Sequence, residues 1–179
     1  MSSIVLLGST GSIGVNTLII AKRYNISIEA LVAGSNIDLL NKQIAEHKPK
    51  TVVIANATDK HKVNHSDVRC GDEAILMLIE ESQSHMVVNA LVGYTGLSPT
   101  LKATSLGKRV ALANKESLVV AGEFIDMSLI TVIDSEHFGL WYLINERPIS
   151  KLYITASGGA FRDWELNKMK DAKFSDALK

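Results

Sequence analysis

The 179-residue chain is 46% apolar and 21% charged, with 19 basic and 19 acidic residues and a formal net charge of zero. Its length and apolar content suffice for a buried core, and its charge balance provides no basic surface of the kind that binds nucleic acid or anionic membranes. No apolar run reaches the ~18 to 20 residues of a membrane span, and Cys70, the single cysteine, excludes a disulfide framework within the chain, so we expect a cytoplasmic protein without nucleic-acid or membrane partners.

Short β-branched runs alternate along the chain with longer segments in which apolar residues recur at three- and four-residue spacing. Strands are predicted over residues 4–7, 28–32, 51–54, 86–89, 109–113, 130–133 and 152–155. Helices are predicted over residues 13–24, 38–47, 72–82, 99–106 and 136–145, with Asp38 and Ser98 as N-caps and Pro99 at a first helical position. Parallel strands need crossovers of about a dozen residues, so this alternation predicts a doubly wound α/β fold with a mostly parallel sheet.

Three glycines lie between the first predicted strand and the first predicted helix. Gly8, Gly11 and Gly14 are spaced G-x-x-G-x-x-G, one residue longer at the first gap than the common dinucleotide fingerprint. In such turns the glycines allow a tight turn, close approach to a pyrophosphate, and packing of helix on strand, while the helix N-terminus offers N–H groups to phosphate. The motif predicts a Rossmann-like dinucleotide site; a glycine-rich turn without ligand is the alternative. No Gly-Lys-Ser/Thr closes the segment, which argues against a P-loop.

The end of the second predicted strand bears on the choice between NAD and NADP. NAD-binding chains usually place an acidic residue there to bind the ribose 2′-hydroxyl, and a 2′-phosphate would be repelled by it. Here Gly34, Ser35 and Asn36 follow the strand, and the latter two can donate hydrogen bonds to phosphate oxygens. The corner therefore favours NADP, with an ordinary turn before the next helix as the alternative.

Three later strand ends carry polar clusters, at residues 113–117, 134–137 and 155–159. Ligands of open α/β sheets bind beyond the carboxyl ends of strands, so these clusters would converge on one crevice. Asp134 and Glu136 are two residues apart and could share one hard divalent cation, or form a solvated turn. Lys115 would bring positive charge to substrate oxygens, or lie at the surface. His137 is equally compatible with a structural and a catalytic role.

The stretches LLGSTGSIG, VAGSN, ALANKESLV, VIDSEH and TASGGAFR, in this order, closely resemble the N-terminal half of the 1-deoxy-D-xylulose 5-phosphate reductoisomerase family. The resemblance runs the whole length of the chain, and NKES together with DSEH is its most specific part. It implies an NADPH- and divalent-metal-dependent oxidoreductase that rearranges and reduces 1-deoxy-D-xylulose 5-phosphate to 2-C-methyl-D-erythritol 4-phosphate, in the methylerythritol phosphate route to isoprenoids.

The resemblance also implies site residues, position by position. The cofactor-binding set is Thr10, Gly11, Ser12, Ile13, Gly34, Ser35, Asn36, Asn114 and Glu116. The substrate-binding set is Lys115, Ser135, Glu136 and Ser157, of which Lys115 and Glu136 are the catalytic candidates. Asp134 and Glu136 are the implied ligands of Mn²⁺ or Mg²⁺. The family usually has a basic residue where this chain has Ser35, which implies weaker selectivity for NADP.

Family members are roughly twice as long as this chain, so the resemblance implies an NADP-binding domain over residues 1–135 and the beginning of a catalytic α/β domain over 136–179. The missing half would carry the third metal ligand, the flap over the active site and a helical domain. The resemblance also implies that the full-length enzyme is a homodimer, and we expect this chain alone to be inactive because it lacks those parts. The alternatives are a nucleotide-binding fragment without turnover and another NADP-dependent oxidoreductase, which would leave NKES and DSEH unexplained.

Overall fold

The structure is a computed structural model that describes residues 3–144, 148–153 and 159–176. It divides into two compact units, Met1–Asp134 and Ser135–Lys179. This boundary lies one residue before the predicted one. The assignment of a function to each unit stays a prediction.

The first unit is built around a seven-stranded sheet in which every strand pair is parallel. Its strands are β1 Ser3–Leu7, β2 Ser27–Ala33, β3 Thr51–Ile54, β4 Val68–Cys70, β5 Met86–Asn89, β6 Arg109–Leu112 and β7 Ile130–Val132. Their spatial order is β4-β3-β2-β1-β5-β6-β7, so the strand order reverses between β1 and β5. This confirms the predicted doubly wound α/β fold and places its switch point beside the glycine-rich turn.

Five α-helices connect the strands of this unit, and a sixth belongs to the second unit. They are α1 Ser12–Arg23, α2 Ile37–His47, α3 Asp72–Glu81, α4 Leu97–Ser105, α5 Lys115–Ala121 and α6 Ser135–Ile144. Single 3₁₀ turns occur at Ala57–Lys62, Gly93–Gly96, Gly122–Phe124 and Met127–Leu129.

Alternate side chains of the strands enter two separate hydrophobic clusters, one on each face of the sheet. Leu6 packs in one cluster with residues of α1 and α2, whereas Val5 and Leu7 pack in the other with residues of α3 and α4. Both faces are covered, so β1 is apolar at nearly every position, as is typical of strands in parallel sheets. The core therefore fixes β1 at the centre of the unit.

Several local predictions are wrong. Asn36, not Asp38, caps α2, because its side-chain oxygen accepts the N–H of Leu39 at 3.2 Å. Helix α4 begins at Leu97 after Gly96, not at Pro99 after Ser98. Pro99 still lies in the first turn, where its missing N–H costs no helical hydrogen bond.

Two elements are absent from the predictions, and one predicted strand is not found. Edge strand β4 is only three residues long, and α5 begins at Lys115, inside the polar cluster 113–117, and continues to Ala121. Leu152 and Tyr153, at the start of the predicted strand 152–155, are in coil, and the rest of that strand lies outside the described residues.

The described part of the second unit contains α6 and the 3₁₀ turns Leu166–Asp171 and Phe174–Asp176, with no strand. Phe161 and Trp164 stack edge to face, with 5.0 Å between ring centroids. Within residues 3–144, 148–153 and 159–176, no helix combines the length and apolar character that a membrane span requires.

Candidate functional site

The turn after β1 is fixed to both neighbouring strands. On the β2 side, the N–H groups of Gly8 and Ser9 both donate to the carbonyl oxygen of Val32, at 2.9 Å each. On the β5 side, the N–H of Ala90 donates to the carbonyl oxygen of Leu7. Gly8 has a φ of +82°, and a Cβ there would lie 2.5 Å from the carbonyl oxygen of Ala90. Only glycine meets both conditions, so Gly8 is required by the turn itself.

The other two glycines of the motif have different surroundings. A Cβ on Gly14 would overlap the carbonyl oxygens of Gly8 and Ser9, so Gly14 allows α1 to pack directly on the turn. A Cβ on Gly11 would meet only the carbonyl oxygen of Gly8, at an ordinary 3.5 Å. Gly11 is exposed and occupies the N-cap position of α1 in an extended conformation. Because it has no side chain, no side-chain oxygen accepts the first N–H groups of the helix there. The exposed N-cap position of α1 therefore carries no side chain, and the first N–H groups of a helix have no partner within the helix, which is the form of a phosphate-binding helix start.

The loop after β2 opens at the same edge of the sheet, because β2 runs parallel to β1 and pairs with it. Gly34, Ser35 and Asn36 are all exposed, and no atom outside the immediate chain lies within 4 Å of a Cβ built on Gly34. The side-chain oxygen of Asn36 is used in the cap of α2. A hydrogen bond from the Asn36 side chain to a phosphate would come from its amino group, because the amide oxygen only accepts.

A third loop, after β5, completes this edge at the switch point, and the sequence alone assigns it no role. Asn89 ends β5 with 1% exposure; its amino group donates at 2.8 Å to the carbonyl oxygen of Gly96 and at 2.8 Å to the hydroxyl of Thr100. Asn114, from the end of β6, donates to the carbonyl oxygens of Leu91 and Gly93, at 2.9 and 2.8 Å. Two buried amides thus hold the loop. A polar residue ending an apolar strand, followed by two glycines, is the signal that could have identified it.

Asn114 is largely committed to the protein's own structure. Besides its two donated hydrogen bonds, its side-chain oxygen accepts from both the backbone N–H and the hydroxyl of Ser117, which caps α5. Asn114 as a whole is 1% exposed, and its side-chain amide is occupied by these partners. Lys115 and Glu116 follow in the first turn of α5, and both are exposed.

The predicted metal and substrate residues are only partly described. Asp134 is 7% exposed and closes the first unit just beyond β7, and Ser135 and His137 are exposed at the start of α6. The side chain of Glu136 and the whole of Ser157 lie outside the described residues. A buried carboxylate after a parallel strand is a suitable oxygen ligand for Mg²⁺ or Mn²⁺. No group of three or more metal-ligating side chains occurs in the part of the chain that the structure describes.

The opposite edge of the sheet holds a cavity of about 910 Å³ lined by the starts of β1 and β2. Glu29 lines it and accepts hydrogen bonds from the Ser82 hydroxyl at 2.9 Å, the Gln83 N–H at 3.0 Å and the Ser84 hydroxyl. Burial raises the pKa of Glu29, but these hydrogen bonds, with Ser84 foremost, outweigh it and hold the pKa below its ordinary value. The Glu29 carboxylate connects β2 to the loop between α3 and β5. This cavity lies at the amino ends of the strands, whereas doubly wound folds bind nucleotides at the carboxyl ends.

Two family profiles match the chain. Residues 4–122 match the profile described as 1-deoxy-D-xylulose 5-phosphate reductoisomerase, and residues 130–179 match that of its C-terminal domain. Curated reductoisomerases from Nautilia profundicola and Campylobacter lari are 59% and 56% identical, each over 98% of the chain. The chain spans about half the length of these relatives, 50% and 49%.

The chain is also similar to solved structures of reductoisomerases. The reductoisomerase from Zymomonas mobilis in complex with NADPH has a TM-score of 0.78 at 31% identity. The match covers 99% of this chain and 51% of the Zymomonas mobilis chain. A reductoisomerase in complex with NADPH, fosmidomycin and magnesium has a TM-score of 0.71 at 29% identity, covering 100% of this chain and 51% of its own.

Proposed function

The chain belongs to the 1-deoxy-D-xylulose 5-phosphate reductoisomerase family, and from this we propose that its first unit binds NADPH across the switch point between β1 and β5. The observation that carries the proposal is the exposed start of α1 at Gly11, where the N-cap position carries no side chain and a Cβ would meet only the carbonyl oxygen of Gly8, at 3.5 Å. Thr10, Gly11, Ser12 and Ile13 would hold the pyrophosphate through backbone N–H groups and the helix dipole. Gly34, Ser35 and Asn36 would hold the adenosine 2′-phosphate.

The nicotinamide end would lie toward β6, in our proposal. Asn114 and Glu116 would face the cofactor, Asn114 from the N-cap of α5 and Glu116 with an exposed carboxylate on the first turn of that helix. When bound, NADPH supplies the hydride for reduction of a carbonyl. The residues on this edge would bind and orient the cofactor, and the amides of Asn89 and Asn114 would keep the intervening loop in place.

For the full-length protein we propose the family's reaction, conversion of 1-deoxy-D-xylulose 5-phosphate to 2-C-methyl-D-erythritol 4-phosphate. Lys115, Ser135, Glu136 and Ser157 would contact the sugar phosphate, with Lys115 and Glu136 closest to the chemistry. Asp134 and Glu136 would hold Mn²⁺ or Mg²⁺, which supplies Lewis-acid polarisation of substrate oxygens. The isoprenoid precursor pathway, a homodimer of the full-length protein and a cytoplasmic location are part of the same proposal. A nucleotide-binding role without turnover is proposed for these 179 residues alone.

The test of the proposed cofactor site is a calorimetric titration of the chain with NADPH and with NADH. We expect NADPH to bind on the order of tenfold more tightly, because a hydrogen bond to a charged phosphate is worth ~1.5 to 3 kcal/mol. Ser35→Asp should reverse the preference by repelling the 2′-phosphate. Asp38→Asn, a change in the exposed first turn of α2, is the control and should leave it unchanged. Equal affinities in the unsubstituted chain would contradict the role of Gly34, Ser35 and Asn36.

A further inference from the structure

One buried side chain connects α2 to the glycine-rich turn. Gln43 lies in the second turn of α2 with 6% exposure, on the face that also buries Leu40 and Ile44. Its Nε2 donates to the carbonyl oxygen of Ser9 at 2.8 Å. Ser9 is fully buried, and its own N–H donates to Val32 at the end of β2. The chain at Ser9 is therefore held from two sides.

The hydrogen bond fixes more than one carbonyl. The carbonyl of Ser9 and the N–H of Thr10 belong to one peptide group, which is planar and trans, so the two bonds point in opposite directions. When Gln43 holds the Ser9 oxygen toward α2, the Thr10 N–H is directed away from α2. Thr10 is the first of the four residues proposed to hold the pyrophosphate.

The helix that carries Gln43 also follows directly from the proposed 2′-phosphate residues, since α2 begins at Ile37 after its cap Asn36. Helix α2 thus contacts the glycine-rich turn through Gln43 and begins directly after the loop that follows β2. Burying an amide on an otherwise apolar face costs free energy, and the hydrogen bond to Ser9 offsets only the part that belongs to the donor, because the side-chain oxygen of Gln43 has no partner among the described residues.

We propose that Gln43 is a positioning residue for NADP(H): its hydrogen bond to Ser9 orients the Thr10 peptide toward the pyrophosphate and couples the two phosphate-binding loops. The inference rests on the proposed NADPH site. Gln43 itself is not proposed to contact the cofactor. Removal of its Nε2 donor should therefore weaken cofactor binding without unfolding the chain.

The test compares three variants of the 179-residue chain by titration with NADP⁺ and by thermal unfolding. Gln43→Met keeps the volume of the side chain and removes the donor, so the fold should persist. Its affinity for NADP⁺ should fall about tenfold, because supporting hydrogen bonds set the geometry of the groups that contact a ligand.

Gln43→Glu keeps the shape of the side chain but donates a hydrogen bond only when the carboxyl group is protonated, and burial raises the pKa of a carboxyl group. Its affinity, relative to the unsubstituted chain at each pH, should recover as the pH is lowered toward about 5.

Asn41→Ala is the matched control on the same helix. Asn41 donates to the carbonyl oxygen of Lys62 at 2.9 Å and accepts the N–H of Asn64 at 2.8 Å, away from the glycine-rich turn. This variant should lose stability and keep its NADP⁺ affinity within about twofold, the range of an unconnected site. A folded Gln43→Met chain with unchanged affinity would overturn the inference, and so would an equal loss in Asn41→Ala. A chain without substitutions that binds no NADP⁺ would overturn the proposed function and this inference with it.

Discussion

At the residue scale, the three glycines of the first loop separate into structural and functional positions. Gly8 and Gly14 are required by backbone contacts within the protein, whereas Gly11 touches nothing closely. Its backbone, with φ −78° and ψ 169°, is accessible to any residue. The three positions therefore predict different results for the same kind of substitution.

Gly11→Val should give a folded chain that binds NADPH tenfold or more weakly, because the side chain blocks backbone approach to the pyrophosphate and even one charge-assisted hydrogen bond is worth ~1.5 to 3 kcal/mol. Calorimetry measures the affinity, and circular dichroism measures the fold. Gly14→Val is the contrasting variant and should fail to fold, because its side chain would overlap the turn. Unchanged NADPH affinity in folded Gly11→Val would support the alternative of a turn without ligand.

Glu29 gives a prediction for the pH dependence of stability. Its folded-state pKa lies below the ordinary value of 4.5, so its contribution is complete above that pH and is lost as the pH falls through the lowered pKa. At neutral pH Glu29→Gln should be less stable by about 1 kcal/mol, allowing for solvent screening. The difference should shrink below pH 4.5, where the unsubstituted chain loses the ionised carboxylate. Urea midpoints at several pH values measure this, with the exposed Glu123→Gln as control. A difference that grows on acidification would contradict it.

At the element scale, Asn114 joins three pieces of structure: the end of β6, the start of α5 and the loop after β5. Asn114→Ala removes the cap and leaves the carbonyl oxygens of Leu91 and Gly93 without their donor. We expect the free energy of unfolding to fall by about 3 kcal/mol, from a cap worth ~1 kcal/mol and two half-buried carbonyl groups costing ~1 kcal/mol each. Ser117→Ala, which removes one hydroxyl from the same cluster, should cost about 1 kcal/mol. Urea unfolding measures both, and equal losses would show that the loop does not depend on Asn114.

The strands and helices that the sequence predicts correctly are those with long apolar runs or clear amphipathic spacing. Residues 51–54 and 86–89 match β3 and β5 without change. Edge strand β4 has only Val68, Arg69 and Cys70, too few for any alternation to show. Helix caps are misplaced by two residues because Asn36 competes with Asp38, and side-chain hydrogen bonds decide between such neighbours.

The candidate site shows the same division between local and long-range information. The turn after β1 is visible in the sequence because its glycines are close together. The roles of Gln43 and Asn89 depend on partners 34 and 7 residues away, respectively. Gln43 carries no local signal, because a glutamine on an amphipathic helix is ordinarily a solvated residue.

At the scale of the whole molecule, a polypeptide of these 179 residues should bind NADPH and show no reductoisomerase turnover. It matches about half the length of its relatives, and Asp134 with Glu136 offers only two carboxylates. Mn²⁺ should bind at about millimolar concentration, because sites with one or two carboxylates depend on water and substrate oxygens. An NADPH-oxidation assay with 1-deoxy-D-xylulose 5-phosphate and Mn²⁺ measures turnover, on protein of confirmed mass. Activity that Asp134→Asn abolishes would show that the catalytic set is already complete in this chain.

The strand order also determines when each part of the sheet can form during translation. On one side β1 pairs with β2, where Ile4 faces Ile28, and on the other with β5, where Ile4 faces Met86. After β1, strands β2, β3 and β4 emerge from the ribosome before β5 does, so one flank can assemble while the other side of β1 still has unpaired N–H and C=O groups. An open apolar edge pairs readily with other chains. The nascent chain is thus most exposed to aggregation in the interval before β5 emerges, and slow synthesis through the α3 codons would prolong it.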